Sequence, residues 1–142
     1  MLGMNAVALV FFGCINVAAY QLCKCPEGRR RTVVRWLCAV LLSGNLLRYG
    51  VIYPFVKGVV MLPVEFSTVA YFLVPAILLT SKRRLRSWAA YSGLMAGFFY
   101  YLAMIAAGGV IYGAYAPLDI YISMFCHGSI YFCGFVTIGT EL

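Results

Sequence analysis

Met61-Leu62-Pro63-Val64-Glu65-Phe66-Ser67-Thr68 sets a carboxylate inside an otherwise apolar run that continues to Thr80. A buried carboxylate is out of place in a soluble core, whereas in a membrane span it is costly and usually functional. Working outward from this run, four others of similar length emerge. The five lie near 3–22, 33–55, 60–80, 87–107 and 118–140, each close to the roughly 20 residues a helix needs to cross a bilayer. They are continuously apolar rather than alternating, which predicts helices and not a barrel. The expected fold class is all-α: a polytopic membrane helix bundle, residues 1–142 forming one integral membrane domain.

Composition agrees. Of 142 residues, 64% are hydrophobic and 11% charged, against roughly 45–50% and 25% in soluble domains. No internal repeat is visible, which argues against a repeat-built transporter. The first run carries no basic residue and no small-x-small site, so it reads as a span that stays rather than a cleaved signal.

The net charge of +7 comes from 11 Lys and Arg against 4 Asp and Glu. Such a balance would raise nucleic acid as a partner in a soluble chain. Here the basic residues cluster between spans, at Lys24 to Arg31 and Lys82 to Arg86, while the connections after runs two and four hold one Lys and none. That pattern points to membrane lipids as partners, not nucleic acid. Positive-inside asymmetry predicts a multi-pass cell-membrane protein with its amino terminus outside and its carboxyl terminus cytoplasmic.

Several connections are explained by ordinary chemistry. Pro26 and Gly28 are read as helix breakers, and Cys23-x-Cys25 lacks zinc spacing, which favours reduced thiols at the inner face. Ala89, Gly93 and Gly97 recur every four residues, a stripe that permits close helix approach. Asn16, deep in run one, predicts an interhelical hydrogen bond.

The chemistry-bearing residues fall within the spans. Arg48, Glu65 and His127 all lie roughly 7–14 Å below the outer boundary when counted at 1.5 Å per residue. Arg48 and Glu65, on neighbouring helices, are the expected ion pair, with Arg48 passing Tyr49 and Tyr53 toward the boundary. Asn45, Thr68 and Ser123 join this polar layer. Ser123 and Tyr131 share His127's helical face, whereas the adjacent Cys126 does not. Glu65 shares a face with Thr68, and Ser67 points nearly opposite. The layer is read as either a structural network or an outward-opening site with His127 as its titrating group.

Leu62-Pro63-Val64-Glu65-Phe66-Ser67, a span ending in a basic loop, a glycine-bearing span and a span with His127-Gly128 together resemble the YwaF-like integral membrane proteins. These are related to transmembrane protein 164, an acyltransferase of lipids. The resemblance covers about residues 45–140. It implies that Ser67 stands where the family has a nucleophilic Cys, that His127 is its base, and that further helices come from a partner, an oligomer or a longer chain. Three function classes follow: lipid acyl transfer through Ser67 and His127, binding or transport of a small polar solute in the polar layer, or a structural membrane subunit. Acyl transfer would need a groove beside the pair, lined by Phe66, Met124 or Phe125, with Thr68 and Ser123 as other hydroxyls. The sequence offers no nucleotide loop and no metal cluster, so no cofactor is expected.

Overall fold

The computed structural model describes residues 3–58, 66–80, 83–111 and 117–141, with the backbone alone at 66–67, 109–111, 117 and 140–141. The helices are α1 (Met4–Cys23), α2 (Glu27–Leu47), α3 (Phe66–Thr80), α4 (Arg83–Ile111) and α5 (Pro117–Glu141). A π-helical segment, Arg48–Val56, continues α2. Among the described residues, four helices are long and apolar enough to cross a membrane: α1, α2 with its π extension, α4 and α5. The described part of α3 has 15 residues. The expected all-α helix bundle is therefore what the chain forms.

One boundary differs from expectation. Helix α2 begins at Glu27, inside the basic connection. Pro26 occupies the N-cap, where its missing N–H costs nothing, and Gly28 lies within the first turn. Glu27 pairs with Arg31 one turn on, and the Thr32 hydroxyl donates to the Gly28 carbonyl at 2.8 Å. At the other end of run two, Pro54 does not stop the helix. It removes a backbone donor, and the turn widens into π geometry, with the Lys57 N–H reaching the Ile52 carbonyl at 3.0 Å.

Helix α5 is the axis of the packing. It touches each of the other four helices, most extensively α4. Glycines set that distance. A Cβ added at Gly93 would stand 2.7 Å from the Ile130 carbonyl oxygen, and one at Gly97 would run into Tyr131 and stand 2.7 Å from the His127 carbonyl. The expected close approach is present, and Gly134 of α5 answers it from the opposite side, abutting Ala90 and Leu94. Asn16 makes its interhelical bond: the Tyr131 hydroxyl donates to Asn16 Oδ1 at 2.7 Å.

Two apolar clusters result. One joins Val34, Cys38 and Leu41 to Tyr71, Val74, Ile130 and Cys133. The other joins Ala8 to Tyr100, Tyr101, Met104, Ile120 and Met124. Large apolar side chains also cover the outside, among them Leu9, Val40, Leu46, Phe55, Phe99 and Phe125. Such a surface is a liability in water and ordinary against lipid tails.

Candidate functional site

His127 sits where the two clusters meet, on the face of α5 turned to α3 and α4. Its residue is 4% exposed. The Tyr100 ring stacks on the imidazole, with centroids 3.6 Å apart and an angle of 10°. Tyr71 meets it edge-on at 5.0 Å. The His127 Nδ1 lies 2.9 Å from the Ser123 carbonyl oxygen. A carbonyl only accepts, so this contact is a hydrogen bond in the tautomer with the proton on Nδ1 and the lone pair on Nε2. The Tyr71 hydroxyl lies 2.6 Å from Nδ1 and 3.2 Å from Nε2; in that tautomer only Nε2 can accept from it. The Ser123 hydroxyl stands 3.4 Å from Nδ1. The buried imidazole thus has Nδ1 against its own backbone and both nitrogens within reach of a hydroxyl from α3.

The remaining residues of the expected polar layer divide into separate groups. Asn45, 3% exposed, donates to the Leu41 carbonyl at 2.9 Å and faces the Cys126 thiol at 3.8 Å. Thr68 is buried on α3. Arg48 pairs with Asp119, Nη2 to Oδ1 at 3.3 Å, and Lys57 reaches the other oxygen of that carboxylate at 3.5 Å. The Arg48 guanidinium lies 5.1 Å from the Tyr53 ring centroid and 5.8 Å from that of Tyr49.

Among the described residues, the carboxylate that meets Arg48 is Asp119. Asp119 precedes His127 by eight residues, roughly 12 Å along the helix, so the Arg48 head group and His127 do not share a layer. Glu65 itself lies outside the described residues, as does the side chain of Ser67. The backbone places Ser67 in the first turn of α3, four residues before Tyr71.

The expected acyl groove beside Ser67 and His127 would border side chains outside the described residues. An apolar groove of about 510 Å³ runs over α5 between α1 and α2, along Phe125, Gly128 and Phe132 with Phe11 and Trp36. Residues 125, 128 and 132 lie on the face of α5 away from His127. Met124 is instead core, at 2% exposure, and the Phe66 side chain is outside the described residues.

No family model, curated protein or solved structure matches the chain. What the site can do therefore rests on its own geometry. Tyr71 and Tyr100 are the participants that sequence reasoning missed. Tyr71 had a weak signal: it is one turn from Ser67 on the same apolar run. Tyr100 had none, since stacking across helices leaves no trace in spacing.

Proposed function

We propose that the chain is an integral membrane protein of the YwaF-like kind that transfers acyl groups between lipids, with His127 as general base. The observation that carries this reading is the His127 ring: Nδ1 against the Ser123 carbonyl, Nε2 within reach of the Tyr71 hydroxyl, and both walled by Tyr71 and Tyr100. Holding one imidazole nitrogen so that the other accepts a proton is the arrangement acyl-transfer bases use, with a carbonyl here in place of a carboxylate.

Ser67 is the proposed nucleophile. One helical turn separates positions 67 and 71, so the Tyr71 hydroxyl is the proposed bridge between serine and ring. The Ser67 oxygen attacks the acyl carbonyl of a glycerolipid while its proton passes to Tyr71 and the Tyr71 proton passes to Nε2. The collapsing intermediate breaks the ester bond, and the departing alcohol takes the proton back from Nε2. A second lipid alcohol then attacks the acyl-serine by the reverse sequence. Additional helices from a partner or a second copy belong to this proposal, since the described groove does not open beside His127.

The test is labelling of the purified chain in lipid bilayers with a lipid-tailed fluorophosphonate, followed by peptide mass spectrometry. An adduct on Ser67 that disappears in Ser67→Ala and His127→Gln, with unchanged melting, is the expected outcome. An adduct retained in Ser67→Ala moves the nucleophile to Thr68 or Ser123. No adduct in the folded wild type removes the acyl-transfer reading.

A further inference from the structure

At the basic end of the bundle, the start of α2, the end of α3, the start of α4 and the last turns of α5 enclose a cavity of about 220 Å³. Its polar wall is Glu27, Arg30, Arg31, Arg35, Arg86 and Thr137. Four guanidinium groups face one carboxylate, and Glu27 is already paired with Arg31. Arg30, Arg35 and Arg86 make no ion pair among the described residues. Arg30 donates through Nη1 to the Cys23 carbonyl at 3.0 Å. Its Nε, however, is shielded from solvent and has no acceptor among the described residues, and the same holds for Arg86 Nε. Three arginines without a carboxylate partner among the described residues, brought by α2 and α4 to one cavity, suit an anion with several oxygens.

Size and depth narrow the anion. About 220 Å³ equals roughly seven waters at ~30 Å³ each. That admits one phosphate with some hydration and falls short of the roughly 300 Å³ at which pockets for drug-sized ligands begin. Trp36 and Trp88, next to Arg35 and two residues beyond Arg86, are both largely exposed. Tryptophan in that setting marks the headgroup level of a membrane.

We propose that this cavity binds a phosphate monoester or diester, held by Arg30, Arg35 and Arg86. Planar guanidinium forks suit phosphate oxygens, and three of them on two helices hold it from different directions. Thr137 lies ten residues, roughly 15 Å, along α5 from His127, so the site is separate from the imidazole and does not depend on acyl transfer there.

The experiment measures melting of the full chain in neutral detergent with added inorganic phosphate, short-chain phosphatidic acid, or diacylglycerol of the same chain length. Saturable stabilisation by phosphatidic acid alone assigns a lipid headgroup. Saturable stabilisation by inorganic phosphate as well assigns a free anion. Stabilisation by neither, or equally by diacylglycerol, overturns the proposal. Arg86→Lys keeps the charge and loses the planar guanidinium fork, and should weaken binding about tenfold, the factor a charge-assisted hydrogen bond contributes. Arg84→Gln, outside the cavity wall, removes a charge and should change affinity less than about twofold, as expected of an exposed, salt-screened charge. Equal losses in the two variants mean diffuse charge attraction and sink the site. Should Arg86→Lys fail to fold, Arg35→Gln serves in its place, with the same contrast against Arg84→Gln.

Discussion

The same substitution, glycine to alanine, should have opposite effects at Gly97 and Gly44. At Gly44 an added Cβ meets nothing within 4 Å. Alanine there should stabilise α2 by up to about 1 kcal/mol, the difference in helix propensity. At Gly97 the same gain exists, but the Cβ runs into Tyr131 and stands 2.7 Å from the His127 carbonyl oxygen. Ordinary contact begins at 3.4 Å, so α4 and α5 must part by at least 3.4 − 2.7 = 0.7 Å. The obstacle is backbone and a Cβ, which no rotamer change can clear. Overpacking of this kind costs roughly 1–3 kcal/mol. The two variants should therefore differ by about 1–3 kcal/mol, with Gly97→Ala the less stable. Reversible unfolding in mixed micelles measures this directly. Equal stability of the two variants would mean that α4 and α5 do not approach as closely as described, and the seat of His127 would have to be redrawn.

Two further outcomes are expected. Asp119→Asn should destabilise the folded chain more than Asp119→Asn combined with Arg48→Met, because the single change leaves a largely buried cation with a weakened partner; strictly additive effects in the double-mutant cycle would dissolve the pair. The proposed orientation places Cys23 and Cys25 at the cytoplasmic face, so a variant retaining only these thiols should resist a membrane-impermeant maleimide in intact cells and react after lysis. Strong labelling before lysis would invert the topology.

The number and kind of elements were legible because lipid solvent demands long, continuous apolar helices, a pattern that composition alone carries. Their ends were less so. Hydropathy marks where a chain leaves the apolar layer, not where its helix begins, and Glu27 to Thr32 is helix outside that layer. Asn16 and the Gly93–Gly97 stripe were legible one-sidedly: each announced that it needed a neighbour without saying which. Arg48 shows the limit. Its charge demanded a partner, and nothing in the spacing pointed to Asp119, 71 residues away, which the long side chain meets from the start of a widened π turn. The His127 site was half visible, since spacing on one helix finds Ser123, while the rings of Tyr71 and Tyr100 come from other helices.

The buried stripe of α2 (Val34, Cys38, Leu41 and Asn45) extends back to Arg30 and forward to Arg48. From Arg30 to Arg48 is 48 − 30 = 18 residues, about five turns and roughly 27 Å at 1.5 Å per residue. The two guanidinium groups thus leave α2 on one azimuth, at a separation near the ~30 Å thickness of a bilayer's hydrocarbon layer. One end is fastened to Asp119 and the other to the Cys23 carbonyl. Both contacts are to this chain itself, so α2 is tied to the bundle at each end, and sliding it along its axis would break the two together.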